Sequence, residues 1–351
     1  MTVKDCIVVV GGYGHVGRTI CRQLGALYPG KVYAAGRNFK QAEQLSTALN
    51  GQVKPLLLDI SAPIDPTLLT RVKLVVMCLD QADSSFVRAC FQSGTHYIDV
   101  SANGSFLVEV EQMRGVAEKY GATAVLSVGL APGLTNLLAL QASKQLEQTD
   151  SIDLAIMLGL GDRHGTAAIE WTVDQLSASF EVIENNKKVV VNSFTDSQTT
   201  DFGYKRGHKR AYRFPFSDQQ TLPHTLGVPS VATRLCFDSS VVTTLVAGLR
   251  KSGLSRLLRI PWVRHATVKC FSHLHFGKDH FAVTAKAKGQ RAGIESTVAC
   301  MLHGKDQSDM TARVAAYVAH AINKSPYPAG VYHIEQLFEM KELTAWLEQD
   351  A

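Results

Sequence analysis

Residues 8–24 read VVVGGYGHVGRTICRQL. An apolar run enters three glycines, Gly12, Gly14 and Gly17. A helix-like run leaves them, with Val16, Ile20, Leu24 and Leu27 on one face. That order gives each glycine a task. Gly12 allows a tight turn, Gly14 leaves room for a pyrophosphate against the backbone, and Gly17 lets the helix lie close to the strand. The helix N-terminus offers free N–H groups and the positive end of a dipole to phosphate. Tyr13, His15 and Val16 complete the loop. A glycine bend without ligand is the weaker reading, because strand, loop and helix follow in the order a dinucleotide requires.

The second strand, KVYAAGR at 31–37, selects the dinucleotide. NAD-binding units place a carboxylate at this end to take the ribose hydroxyls. Here Arg37 and Asn38 stand there, with Lys40 close by. Arg37, 20 residues past Gly17, suits a 2′-phosphate and can stack on adenine, so the expected cofactor is NADP(H). A solvated surface arginine is the alternative. Asp59 and Ile60 end the third strand, VKPLLLDI, on the adenine side. Cys78 and Leu79 near the end of the fourth, KLVVMCLD, are expected to border the ribose and nicotinamide half.

From these strands the pattern extends outward. NFKQAEQLSTALN, SSFVRACFQSG and SFLVEVEQMRGVAEKYG read as helices, and HYIDVSA and TAVLSVG as a fifth and sixth strand. The strands are apolar without alternation, as in a parallel sheet covered on both faces, so residues 1–140 read as an α/β Rossmann domain with a doubly wound parallel sheet. After GLAPGLTNLLALQASKQL, a helix opened by Pro132 and Gly133, the character changes. SIDLAIMLGLG, KKVVVNSF, AYRFPF, PSVATRLCF, ATVKCFSHLHFG and HFAVTAKAKG read as strands, with GKD (277–279) as a hairpin turn. TAAIEWTVDQLSASF and VVTTLVAGLRKSG, leading into LSRLLR, read as helices. Residues 141–305 are therefore expected to form an α+β substrate and dimerisation domain with a mixed or antiparallel sheet. Residues 306–351 form a C-terminal segment whose helix SDMTARVAAYVAHAI would be capped by Ser308 or Asp309.

The totals narrow the classes. A chain of 351 residues, 46% hydrophobic, builds two real cores. A net charge of +5 suits anionic small ligands and lacks a nucleic-acid-binding signature. No apolar run has the length of a membrane span. The start, MTVKDCIVVV, leaves no room for a signal peptide. Seven scattered cysteines with no C-x-x-C pair fit a reducing cytoplasm and neither a disulfide frame nor a thiolate metal site. The histidines of FSHLHFGKDHF, with His273 and His275 on one strand face and His280 across the turn, read as ordinary sheet histidines rather than metal ligands. LSRLLRIPWVRH is apolar and basic; a surface helix or a copy-to-copy contact is the stronger reading, a membrane contact the weaker.

VVVGGYGHVG, AAGRN, LLLDI, HYIDVSA and above all SVGLAPGLTNLLA resemble the saccharopine dehydrogenase-like oxidoreductases. The resemblance is good over residues 1 to about 140 and moderate over 300 to 340. It implies a Pro-Gly pair opening the helix that leaves the Rossmann sheet, here Pro132-Gly133. It also implies a chain that returns to the first domain at its end, and a homodimer through the substrate-domain sheet. The implied reaction moves hydride between a nicotinamide and a C–N centre of an amino-acid-derived, carboxylate-bearing substrate.

That chemistry asks the protein to orient a hydride, exclude water and manage one proton. Asp99 and Ser101, at the carboxyl end of the fifth strand, and Asn136, one turn into the next helix, are expected to face the cleft. Asp99 is the candidate for the proton or for a substrate ammonium; the alternative is a carboxylate that caps the next helix. In GLGDRHGTAAIEW a glycine-rich turn carries Asp162, Arg163 and His164 ahead of a helix. Arg163 suits a substrate carboxylate and His164 a general acid, while the plain alternative has Asp162 capping the helix with Arg163 as its pair. Arg213 and Arg234 are candidates to clamp a substrate acid group. Two rival functions remain open: an NADPH-dependent reductase of an activated C=C bond, and an NADP-sensing protein without turnover.

Overall fold

The computed structural model describes residues 4–162, 165–273 and 278–349. The chain divides into two compact units, Met1–Gly133 with Thr311–Ala351, and Leu134–Met310.

The first unit runs β1 (Cys6–Val10), α1 (His15–Leu27), β2 (Val32–Gly36), α2 (Phe39–Ala48), β3 (Val53–Leu57), α3 (Pro66–Leu69), β4 (Val72–Met77), α4 (Ser85–Gln92), β5 (His96–Asp99), α5 (Gly104–Glu111), α6 (Arg114–Lys119) and β6 (Thr123–Leu126). The second runs α7 (Thr135–Ser143), β7 (Gln148–Leu158), α8 (Thr166–Gln175), β8 (Ser179–Glu184), β9 (Lys187–Asn192), β10 (Gln198–Asp201), β11 (His208–Arg213), α9 (Asp218–Thr225), β12 (Ser230–Phe237) and α10 (Ser240–Lys251). A 3-10 helix, Leu254–Arg259, then leads to α11 (Pro261–His273), β13 (His280–Arg291) and β14 (Ile294–Lys305). The chain returns through α12 (Gln307–Lys324), β15 (Gly330–His333), α13 (Ile334–Leu337) and α14 (Met340–Gln349).

The first unit holds a seven-stranded sheet in the order β15-β6-β5-β4-β1-β2-β3, parallel at every pairing. All five β1 residues are buried, as befits a central strand covered on both faces. The order reverses at β1, which pairs β2 on one side and β4 on the other. Parallel sheets bind ligands beyond the carboxyl ends of the strands at such a reversal.

The second unit holds a six-stranded sheet, β10-β11-β12-β7-β13-β14, in which only β12 and β7 pair parallel, and a separate hairpin of β8 and β9. The α/β first domain and the mixed sheet of the second agree with the fold class read from the sequence. Several elements differ. Of ATVKCFSHLHFG, residues 266–273 close α11 rather than form a strand, and 274–277 lie outside the described residues; Val268 joins Ile169 and Val173 of α8 in a small core with Phe271 against it. Packing at helical spacing overrides the β-branched and aromatic composition. The expected GKD turn begins at Gly277, outside the described residues, and no strand precedes it through 273. β13 pairs β14 instead, around Ala292 and Gly293, both at positive φ. TAAIEWTVDQLSASF ends as a helix at Gln175, and β8, β10 and α9 stand where the sequence pattern is too short or too polar to show them. Pro132 and Gly133 are not helical; they turn the chain ahead of α7, with Gly133 at φ 134°. The α12 start is tied by Asp306, whose carboxylate accepts from the Asp309 N–H at 2.8 Å, rather than by Ser308 or Asp309.

Candidate functional site

The glycine loop closes on itself when the Gly14 N–H donates to the Gly11 carbonyl at 2.8 Å. A Cβ on Gly17 would overlap that carbonyl oxygen, and one on Gly12 would meet Ala34 Cα and the Val9 oxygen at 2.8 Å. Gly12 and Gly17 are thus required by the approach of loop, strand and α1. Gly14 differs: its Cβ would meet only the Gly11 oxygen, at 3.0 Å. Gly14 also sits at the N-cap of α1 with no side chain capping the first turn. The N–H groups of that turn are left for a ligand, and the space over Gly14 is the cradle a phosphate needs. His15 is exposed and Val16 half-buried. Arg18, a residue the motif does not point to, arches back so that its guanidinium donates to the Gly14 and Tyr13 carbonyls, both at 3.3 Å. It adds positive charge beside the cradle.

Tyr13 links the loop to the end of β2. Its hydroxyl accepts from the Asn38 N–H at 3.0 Å, and its ring lies where a Cβ on Gly36 would fall. The Asn38 side chain caps α2 by accepting from the Gln41 N–H at 3.2 Å. Arg37 is exposed, and its guanidinium has no hydrogen bond or ion pair among the described residues. Asp59 is exposed too, its carboxylate turned back to the Ser61 N–H at 3.0 Å. Ile60 packs on the core of the unit. No carboxylate is thereby held against Arg37.

Across the reversal, the Cys78 N–H donates to the Val10 carbonyl at 3.0 Å. Burial, with the nearby Asp99 charge, pushes the Cys78 thiol up to about 12, so it stays protonated and inert. Leu79 is exposed and lies against Gly11. Asp99, at the end of β5, is fully buried. It accepts from the Tyr97 hydroxyl at 2.5 Å and from the Ser101 N–H at 2.6 Å. The Ser101 hydroxyl donates to Asp80 at 3.1 Å, and Gln81 donates to the Tyr97 oxygen at 2.7 Å. Burial raises the Asp99 carboxyl to about 6. Nothing in the sequence marks Asp80, Gln81 or Tyr97 as partners of Asp99. One network ties the β4 and β5 loops together at the carboxyl edge of the sheet, with Asp99 inside it and Ser101 near its rim.

At the next strands Ser127 bonds His333 Nδ1 at 2.7 Å, and His333 Nε2 bonds Glu111 at 2.9 Å. Ser127 and His333 are both buried. The trio resembles a nucleophile constellation, but its hydroxyl meets no solvent; it locks returning β15 onto β6.

In the second unit, Asn136 is buried in the first turn of α7. Asp162 does not cap α8; Gly165 does, without a side chain. Asp162 instead accepts from the Gln307 N–H at 2.8 Å. Arg163 and His164 lie outside the described residues. Arg213 is buried between Glu184 and Asp196, with Gln219 beside it. Arg234 is buried between Asp153 and the same Asp196. Both arginines are already held by the chain's own carboxylates, so the expected substrate clamp is replaced by a network joining β7, β8, β11 and β12. His273 ends α11 and shares no strand with His280, which opens β13; His275 lies outside the described residues. Among the described residues no three His, Cys, Asp or Glu side chains are grouped to hold a metal, and no helix is long and apolar enough to cross a membrane.

Residues 7–125 match the family model of the saccharopine dehydrogenase NADP binding domain. By sequence, no curated protein matches the chain. By structure, apo saccharopine dehydrogenase (L-Glu forming) from Saccharomyces cerevisiae is similar at 13% identity, covering 99% of this chain and 96% of that one, with a TM-score of 0.69. Amine dehydrogenase from Mycobacterium smegmatis follows at 11% identity, 96% and 97% coverage and a TM-score of 0.49. Residues 7–125 thus match a saccharopine dehydrogenase NADP binding domain, and the chain shares its fold with the yeast saccharopine dehydrogenase.

Proposed function

We propose that the protein is an NADP(H)-dependent oxidoreductase that moves hydride to or from a C–N centre of an amino-acid-derived, carboxylate-bearing substrate. One observation carries the cofactor reading: Arg37 stands exposed and, among the described residues, without a partner at the end of β2, beside a glycine cradle whose helix has no side-chain cap. In this reading the first-turn N–H groups of α1 take the pyrophosphate, Arg37 pairs with a 2′-phosphate, and Arg18 adds charge. The bound dinucleotide would supply or accept the hydride. Asp99 acts as a positioning residue, fixing the Ser101 and Asp80 loops from beneath. The C–N chemistry rests on the domain match and the shared fold.

Titration of the purified protein with NADPH and NADH tests the cofactor. NADPH is expected to bind the tighter, and Arg37→Ala to weaken it by about tenfold to a hundredfold, as for a lost charge-assisted pair, while leaving NADH nearly unchanged. A wild-type preference for NADH would overturn the assignment. Following NADPH absorbance against pairs of keto acids and amines, with enones alongside, tests the bond. Turnover of enones alone would move the chemistry to C=C reduction.

A further inference from the structure

Residues 239–278 contain no Asp or Glu, yet they hold Arg250, Lys251, Arg256, Arg259, Arg264, Lys269 and Lys278. The rest of the chain is net negative. The first half of this segment also leaves its apolar side chains in solvent. On α10, Val241, Leu245 and Leu249 recur every fourth residue and are all exposed, forming one stripe. In the 3-10 helix, Leu254 and Leu257 fall three apart, and Ile260 continues that row beyond its end. Arg256 and Arg259 form the neighbouring row at the same spacing and are exposed. Trp262, in the first turn of α11, is 73% exposed. Single exposed apolar residues are ordinary, but seven within 22 residues, interleaved with cations, are not.

Only some of the cations are spent internally. Arg250 turns inward to the Ser177 and Ala178 carbonyls, and Arg264 pairs with Asp174. Lys251, Arg256 and Arg259 are exposed and have no carboxylate partner among the described residues. Burial lowers the Arg250 guanidinium from its ordinary value, and repulsion from Arg256 and Arg259 lowers it further, so the three cations are clustered.

We propose that the surface of residues 241–262 seats the protein reversibly on a bilayer carrying anionic phospholipid. Its aliphatic and indole side chains enter the boundary between headgroups and acyl chains, and Lys251, Arg256 and Arg259 pair with headgroup phosphates. Trp at such a boundary gains from an apolar body and a polar N–H. A second copy of the chain fits less well. A two-fold contact would set this surface against itself and bring like charges together with no carboxylate to separate them. A nucleic acid would meet the cations but leave the aliphatic rows in water.

Co-sedimentation of the full chain with phosphatidylcholine vesicles, and with the same vesicles carrying phosphatidylserine, tests the proposal. Binding is expected to the anionic vesicles, to weaken with added salt, and to be slight with phosphatidylcholine alone. Arg256→Gln with Arg259→Gln is expected to weaken it about tenfold or more. Leu257→Ser with Trp262→Ser is expected to do the same through the apolar side. These positions are exposed, so unchanged thermal unfolding should accompany both losses. Absence of sedimentation with anionic vesicles would overturn the proposal, as would variants that sediment like the wild type. So would an apolar variant that changes the oligomer in analytical ultracentrifugation, which would assign the surface to contact between copies.

Discussion

Burial raises the Asp99 carboxyl to about 6, and the nearby Asp80 pushes in the same direction, while the Tyr97 hydroxyl and the Ser101 N–H pull the other way. A free aspartate titrates near 3.9. The folded state therefore holds this proton more tightly than the unfolded chain. Its stabilising effect is complete below about pH 4 and disappears as pH rises through about 6. The full swing is about 3 kcal/mol for roughly two pKa units. Asp99→Asn removes the titration and adds a fixed cost, because an amide cannot accept from both Tyr97 and Ser101. The stability gap between wild type and variant should narrow from pH 4 to pH 6 and stay constant above. Thermal unfolding of both proteins across that range checks it; a gap that does not change with pH would show that Asp99 stays ionised in the fold. The same reasoning explains why Asp99 was visible in the sequence and its role was not. HYIDVSA places a carboxylate at the carboxyl end of a strand, but only the structure reveals Tyr97 and Gln81 beneath it.

At the scale of the element, the strand–loop–helix at the N-terminus separates two kinds of glycine. Gly17 is fixed by the approach of α1 to the loop, whereas at Gly14, with an ordinary φ of −68°, an added Cβ would meet only the Gly11 oxygen, at 3.0 Å. Gly17→Ala should lower stability by about 1–3 kcal/mol, the usual cost of overpacking. Gly14→Ala should lower the unfolding temperature less than Gly17→Ala and yet weaken NADPH about tenfold or more, roughly 1.4 kcal/mol, because its methyl group occupies the phosphate cradle. Calorimetric unfolding and NADPH titration of both variants distinguish the two; equal loss of stability in both would dissolve the distinction. Elements of this first unit were legible because most of its strands are short, largely apolar runs closed by a glycine or polar turn. In the second unit β14 is an edge strand, half-exposed along its length, and its IESTVACMLHGK alternation gives little contrast. Residues 266–273 misled in the other direction, since β-branched and aromatic side chains there pack on α8 at helical spacing.

The whole molecule is threaded so that its first unit is made from both ends of the chain. β15 pairs with β6 in parallel register from Gly330 and Thr123 to His333 and Leu126. α12 buries Val314, Ala315, Val318, Ala319 and Ile322, and the Ser127–His333–Glu111 network depends on the return. Residues 4–310 alone would bare the β6 edge and leave buried Ser127 without its partner, so that chain should fail to fold cooperatively. The two crossings lie side by side: the Leu130 N–H donates to the Thr311 hydroxyl at 3.3 Å, and a Cβ on Gly129 would touch Thr311 at 3.2 Å. A few glycine and serine residues are then enough to join 133 to 311, and short loops of that kind cost little entropy to close. The joined chain, 4–133 with 311–349, should fold without residues 134–310 and keep NADPH affinity within about tenfold, a difference of roughly 1.4 kcal/mol. It should show no turnover, because the segment expected to hold the substrate is gone. Circular dichroism melts and NADPH titration of both chains decide the matter. A joined chain that stays unfolded, or a 4–310 chain that melts like the wild type, would mean that the first unit does not draw its stability from the returning segment.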